Sequence, residues 1–242
     1  QSAGAFKAWA KDWSAATGMN LRIEIPGRKD GFKPRTFDVL EKSAQNNEGT
    51  FLMRLRPGKR IKFQSGDLLE YRPEDGISRW YSIGRIKGDI VLSIKKHEHG
   101  ISSTFLSELQ QGQQFGAAVK RNPEFHFPGK AKEIICIANG TGIAPFLGMF
   151  DENSSRIPIH LYWGGRTKAS FEIYRGLSEE ALKNGKLSGI HFAFSREAGQ
   201  EMYVQDLVDQ NKEAIVNKIN CGATVMICGS LSMQNSVLNI LS

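Results

Sequence analysis

The chain has 242 residues, 40% of them hydrophobic and 24% charged, a balance ordinary for a globular protein with ample material for buried cores. No run reaches the roughly 20 consecutive apolar residues of a membrane-spanning helix, and no signal peptide is visible. The net charge of +7 lies wholly in the first half: residues 1–128 carry 21 Lys and Arg against 14 Asp and Glu, whereas residues 129–242 carry 11 of each.

Cys136, Cys221 and Cys228 have no metal-ligand spacing, and their odd number argues against a disulfide framework; a reducing, cytoplasmic setting fits them. The first residue is Gln1 rather than Met, which reads as a piece of a longer protein. Membrane attachment of that whole protein is left open.

Residues 1–18 place Phe6, Trp9 and Trp13 at helical spacing and end on Gly18, so an amphipathic helix is expected there. From about residue 36 to 120, short alternating segments broken by turns follow: TFDVLEKSAQ, GTFLMRLRP, GDLLEYRPEDG, RWYSIGRIKG, DIVLSIKK and QQFGAAVK. Closely spaced strands with Gly and Pro punctuation predict an antiparallel barrel. One helix interrupts it at STFLSELQQG, with Ser102 or Ser103 as N-cap and Gly112 as its stop.

After residue 128 the pattern changes. Four apolar runs, EIICIA, PIHLYW, IHFAFS and TVMICG, recur with helical stretches between them, including residues 167–185 and 203–219. Buried strands alternating with helices predict βαβ units and a parallel sheet. Ligands of such sheets bind beyond the carboxyl ends of the strands.

Several stretches at those ends carry chemistry. ANGTGIAPF at 138–146 offers Gly140 and Gly142 for a tight turn and Pro145 for a helix start, a place where backbone amides face phosphate. It lacks the last glycine of the dinucleotide fingerprint, and alone it suits packing as well as phosphate binding. RWYS at 79–82 puts Arg79 and Tyr81 on one face of a strand, with Trp80 on the other, in the core. His97 and His99 lie at i and i+2 without carboxylate or cysteine support, so no metal site is expected.

RWYS, HGISSTFL (99–106), NGTGIAPF, AFSRE…YVQ and CGS…M, in that order over residues 36–242, resemble the ferredoxin–NADP reductase superfamily. Within it they look closest to the FAD/NADPH reductase module of diflavin enzymes, the cytochrome P450 reductase and sulfite reductase flavoprotein type. The resemblance implies a two-domain fold: an antiparallel β-barrel for FAD followed by an α/β parallel sheet for NADP. The expected division is a helix and linker at 1–35, the barrel at 36–128 and the nucleotide domain at 129–242.

For FAD, the resemblance assigns Arg79 to the pyrophosphate, Tyr81 to the flavin ring and Ser82 to the neighbourhood of flavin N5. Gly100, Ile101, Ser102 and Ser103 close over the pyrophosphate. For the nicotinamide nucleotide it assigns Gly140, Thr141, Gly142, Arg166, Ser195, Arg196, Tyr203, Gln205, Cys228 and Met233. Ser82 and Cys228 are the expected catalytic pair. Glu201 replaces the lysine of close relatives and weakens the case for NADPH over NADH. Ser230 replaces the usual acid, and no aromatic residue follows Tyr203 to cover the flavin.

The implied function is an electron-transport flavoprotein oxidoreductase. A hydride passes from NADPH to FAD N5, and single electrons then pass to an acidic FMN (flavodoxin-like) or iron–sulfur acceptor. Two alternatives are an NADH-preferring flavin or ferric reductase and a non-catalytic basic binding module. The cluster RLRPGKRIKF holds only Phe63 as an aromatic, which disfavours nucleic acid, since single-strand binding interleaves aromatics with cations.

Overall fold

The computed structural model describes residues 32–199 and 201–242. The helix expected at 1–18 lies outside them. Among the described residues no helix is long and apolar enough to cross a membrane.

Seven strands build the first sheet: β1 (Arg35–Lys42), β2 (Thr50–Pro57), β3 (Leu68–Tyr71), β4 (Arg79–Ser82), β5 (Gly84–Ile86), β6 (Asp89–Lys95) and β7 (Gln114–Lys120), in the order β4-β3-β7-β1-β2-β6-β5. Every neighbouring pair is antiparallel. The stretch expected as one strand at 79–88 is two, because Ile83 turns inward between them and is fully buried. β4 and β5 occupy opposite ends of the strand order yet are one residue apart, so the sheet curls round on itself as a barrel.

Alternation fills the barrel: Phe37 and Val39 from β1 and Phe51, Met53 and Leu55 from β2 point inward. β6 breaks the alternation, with six consecutive buried residues. Its Ile90, Leu92 and Ile94 belong to the barrel core, whereas Val91 joins the other core. Ser93 meets Tyr174 of that second half through a 2.6 Å hydrogen bond. A strand covered on both faces has no solvent side to keep polar.

Helix α1 (Ile101–Glu108) follows β6. Its N-cap is Gly100 rather than Ser102 or Ser103. Ser103 acts from inside the first turn, its Oγ accepting from the His97 amide at 3.1 Å and donating to the Gly100 carbonyl at 3.1 Å. The helix ends at Leu109, and Gly112 (φ 84°) sits in the following turn.

The second sheet is four parallel strands, β8 (Ile134–Asn139), β9 (Ile159–Gly165), β10 (Gly189–Phe194) and β11 (Thr224–Cys228), in the order β10-β9-β8-β11. Helices α2 (Ala144–Glu152), α3 (Glu172–Lys183), α4 (Val204–Gln210), α5 (Lys212–Asn220) and α6 (Leu231–Leu241) cover its two faces. The single helical stretch expected at 203–219 is broken at Asn211, which ends α4 and starts α5 with φ −106° and ψ 12°.

The halves meet where α2 lies on β5. A Cβ on Gly148 would come within 2.2 Å of the Arg85 nitrogen and 2.7 Å of the Gly84 Cα, so only hydrogen fits there. Glu152 accepts from the Ser65 amide at 3.3 Å and hydroxyl at 3.0 Å, and Asp151 accepts from the Lys87 amide at 2.9 Å. Burial pushes the Glu152 carboxyl up despite these bonds. The barrel and the sheet are thereby fixed against one another by backbone contact as well as by charge.

Candidate functional site

From β8 the chain steps to β9 and β10, then returns to β11 on the opposite side of β8. The crevice at such a reversal, beyond the carboxyl ends of the strands, is the general ligand position of open parallel sheets. Asn139 to Gly142 and Cys228 to Ser230 lie there, and the barrel edge faces them across a cleft of about 600 Å³.

On the sheet side of the cleft Gly140, Gly142, Gly164, Gly165 and Gly229 bring backbone to the surface beside side chains such as Thr141, Arg166 and Gln205. After β8, residues Gly140–Ile143 form a 3-10 turn leading into α2, which has Pro145 in its first turn. A Cβ on Gly142 would lie 2.2 Å from the Cys228 carbonyl oxygen, so the turn packs directly on the end of β11. The Asn139 side chain bridges to Ser230, accepting from its amide at 2.9 Å and donating to its hydroxyl at 3.1 Å. Ser230 in turn caps α6 by accepting from the Met233 amide at 3.4 Å. The serine that stands where relatives have an acid thus has a helix-capping task.

The barrel side is mainly side chains. Tyr81 and Ser82 of β4 line the cleft, and so does Trp80, 46% exposed. The expectation of a core Trp80 is therefore corrected: Tyr81 packs against the barrel core, so alternation puts the neighbouring Trp80 ring on the outer face of β4, where it stays exposed. Burial pushes the Tyr81 phenol up, opposed by the nearby Arg79 charge and by the Ser102 hydroxyl.

The two halves touch at the expected catalytic pair. Ser82 Oγ lies 3.8 Å from Cys228 Sγ, a contact across 146 positions of sequence. Burial raises the Cys228 pKa and the Ser82 contact opposes the rise, so the sulfur remains a thiol at neutral pH. Cys136, in the same sheet, is fully buried and pushed up further.

Of the residues the resemblance assigns, Tyr81, Ser82, Gly140, Thr141, Gly142, Arg166, Ser195, Tyr203, Gln205 and Cys228 line this one cleft. Arg79, Gly100, Ile101, Ser102, Ser103, Arg196 and Met233 do not. Arg79 holds Asp75 at 3.3 Å and the Ile77 carbonyl at 2.9 Å. Met233 is 2% exposed and packs in the core under α6. Arg196 and Glu201 are exposed, and Glu201 forms a backbone bridge with Phe194.

Glu48, Ser93, Lys95, His97 and Asn139 also line the cleft and were not expected from sequence. Only Asn139 carried a local signal, being next to the glycine turn. Among the described residues, no three His, Cys, Asp or Glu side chains gather as a metal site.

The side chains fit the groups that the resemblance implies. Beside Tyr81, the Ser102 hydroxyl is buried and makes no well-aligned hydrogen bond among the described residues. A buried hydroxyl whose approach to the Tyr81 phenol is poorly aligned can turn instead to an acceptor from outside the chain. Arg79 is 36% exposed at its side chain, with a partly exposed Asp75 as its ion pair, so its guanidinium can exchange that carboxylate for a phosphate.

A second concavity of about 430 Å³ opens on the barrel flank, lined by Lys33, Arg35, Arg60, Lys62 and Arg121 over Ile61, Ala118 and Val119. The basic run read from sequence is therefore split. Arg54 and Arg56 turn to Asp89 at 2.7 and 2.9 Å, while Arg60 and Lys62 join this pocket. Burial favours a neutral Asp89, yet the two guanidiniums hold its carboxyl below the usual range.

Residues 136–239 match the family described as Oxidoreductase NAD-binding domain. The chain is 31% identical over 160 residues to the NADPH–cytochrome P450 reductase of Dictyostelium discoideum, covering 61% of this chain and 24% of that protein. It is 29% identical over 153 residues to the sulfite reductase [NADPH] flavoprotein alpha-component of Mannheimia succiniciproducens, covering 59% and 26%. It thus spans about a quarter of the length of these curated relatives. A ferredoxin NADP+ reductase from Neisseria gonorrhoeae, solved with bound FAD and NADP, superposes with a TM-score of 0.66 at 18% identity, over 87% of this chain and 90% of that one. That likeness establishes the two-part architecture of barrel and parallel sheet. Residues 136–239 thus match the oxidoreductase NAD-binding family, and the chain is similar in sequence to the NADPH–cytochrome P450 reductase and the sulfite reductase flavoprotein.

Proposed function

We propose that this chain is the FAD- and NADPH-binding reductase portion of a longer electron-transfer protein, with residues 36–128 as the flavin domain and 129–242 as the nucleotide domain. The observation that carries the reading is the approach of Ser82 to Cys228 at 3.8 Å. It joins the flavin-assigned strand to the nucleotide-assigned sheet at one point. FAD, when bound, accepts a hydride from the nicotinamide and releases electrons singly.

The chain's own task is placement. Tyr81 offers an aromatic face with a partly exposed edge, and Ser82 offers a hydroxyl beside it. The neutral Cys228 thiol packs against a nicotinamide ring without attacking it. Arg79 and the start of α1, with the Ser102 hydroxyl, take the FAD pyrophosphate. The glycine turn at 140–142 and Arg166 take the dinucleotide phosphates, and Ser195, Arg196, Tyr203 and Gln205 take the adenosine end. Exposed Glu201 points to a moderate NADPH preference, with NADH as the competing donor.

The acceptor is an acidic FMN or iron–sulfur protein seated on the pocket of Lys33, Arg35, Arg60, Lys62 and Arg121. Val119 in its wall pairs with Leu69, which pairs with Tyr81. Two strand spacings, roughly 10 Å, separate the pocket from the flavin-facing tyrosine. The cytoplasm, where Cys221 and Cys228 stay reduced, is the compartment that fits.

Purified protein should retain or regain FAD with a flavin absorbance spectrum. It should then reduce ferricyanide with NADPH faster than with NADH. Failure to take up FAD sinks the proposal; equal rates with both nucleotides leave the NADH-preferring alternative standing.

A further inference from the structure

The cleft that the proposed function assigns to a phosphate-bearing dinucleotide has, among the described residues, a single carboxylate in its lining, Glu48. That residue does not come from the nucleotide half. It sits in the turn between β1 and β2 of the barrel, where Asn46 Oδ1 accepts from the Glu48 amide at 3.0 Å and the Thr50 amide at 2.9 Å. The turn is fixed further by the Gly49 carbonyl, which accepts from the Lys96 amide at 2.9 Å.

From this built turn the carboxylate reaches across to the other half. Glu48 Oε2 lies 3.4 Å from Arg166 Nε and 3.7 Å from Lys95 Nζ, and Oε1 accepts from the Ser170 hydroxyl. Ser170 belongs to the capping box with Thr167 that opens the helical turn before α3. The Glu48 side chain is only 18% exposed. One acid of the barrel is therefore shared between Arg166 and Lys95, offsetting part of their combined positive charge.

We infer that Glu48 is a built-in competitor for the nucleotide phosphate. In the free protein it occupies the anion position beside Arg166 and Lys95, and it yields those cations when a dinucleotide diphosphate arrives. The same exchange releases one ion pair between barrel and sheet, while the backbone contact of α2 with β5 keeps the two halves in place. A mere spacer role gives the opposite expectation, because losing a residue that positions Arg166 weakens nucleotide binding.

This inference rests on the reading of the cleft as a dinucleotide site. The test is calorimetric titration of the flavin-loaded protein with NADP+, comparing the unaltered chain with Glu48→Gln. The amide keeps the length of the side chain and can still accept from Ser170. The expected result is a Kd lowered roughly threefold to fivefold, the range of a part-exposed ion pair, with flavin content unchanged. Raised salt should shrink the difference.

The variant pair Arg166→Gln and Arg166→Gln/Glu48→Gln should show a smaller tightening, since Lys95 is then the one contested cation left of the two. A Kd that is unchanged or raised in Glu48→Gln overturns the inference. If that variant does not fold, Glu48→Asp, which draws the carboxylate back, is read by the same criterion. Absence of any NADP+ or NADH binding by the unaltered chain instead overturns the reading of the cleft.

Discussion

The two walls of the cleft are made in different ways. The sheet presents glycine backbone at the ends of β8, β9 and β11 among its side chains, with Gly142 packed on the Cys228 carbonyl. The barrel presents side chains from β4, β6 and the β1–β2 turn, hung on a frame whose shape is set elsewhere by its apolar interior. A wall of backbone cannot absorb an added atom, whereas a wall of side chains can lose one and keep its form.

The largest expected effect tests the rigid wall. Gly142→Ala places a methyl 2.2 Å from the Cys228 oxygen and 2.9 Å from Gly229 Cα. Because these are backbone atoms, the β8 and β11 turns have to separate, at a cost of about 2–3 kcal/mol. Thermal unfolding should register that loss, and NADP+ titration should show binding abolished while flavin stays bound. Full stability with retained binding would mean that the sheet wall is as adaptable as the barrel wall.

The next effect tests the other wall. Ser82→Ala removes one partly buried hydroxyl whose side-chain hydrogen-bonding contact among the described residues is the long one to Cys228. Stability should change by less than about 1 kcal/mol. The rate of flavin reduction by NADPH in stopped flow should nevertheless fall roughly tenfold, equivalent to about 1.4 kcal/mol in the barrier. A rate unchanged within twofold removes Ser82 from the reacting centre.

The smallest effect lies on the sheet away from the cleft lining. His160 and His191 sit 6.0 Å apart on β9 and β10, and His191 stacks on Tyr162 at 4.4 Å. Burial lowers both pKa values, helped by the Lys218 charge. The fold therefore binds fewer protons here than the unfolded chain. Its stability is complete above the unfolded value near about 6.5 and is lost as pH falls through the depressed folded values. The melting temperature should hold from pH 8 to 7 and decline between about 6.5 and 5, with a shallower decline in His191→Phe. An unaltered slope would show that His191 charges freely within the fold.

How much of this was legible in the sequence depended on locality. Period-two alternation revealed the barrel strands, and apolar runs at βα intervals revealed the sheet, because both patterns record burial over a few residues. Motifs that are continuous in sequence, such as 79–82 and 138–146, were placed beside one another by the strand order. Glu48 was invisible because nothing in its turn marks it; only the meeting of that turn with β9 gives it a role. Trp80 was misplaced because alternation tells which face a residue occupies and not whether anything covers that face. Asn211 divides a stretch whose helical pattern is unbroken, and Met233 follows its helix into the core although its motif runs along the cleft. The splitting of the basic run depends on Asp89, more than 25 positions beyond it in sequence.

Ile83 has one more consequence. It is the single residue between β4 and β5, its amide donating to the Asp67 carbonyl at 2.8 Å and its carbonyl accepting from the Gly66 amide at 2.8 Å. Closure of the barrel is therefore made at the residue adjoining Ser82. Such closure is a late, non-local step whose loop entropy must be offset before it is stable. A chain that has collapsed without closing its barrel cannot bring Ser82 to Cys228. Folding itself thus decides when the cleft between barrel and sheet comes into being.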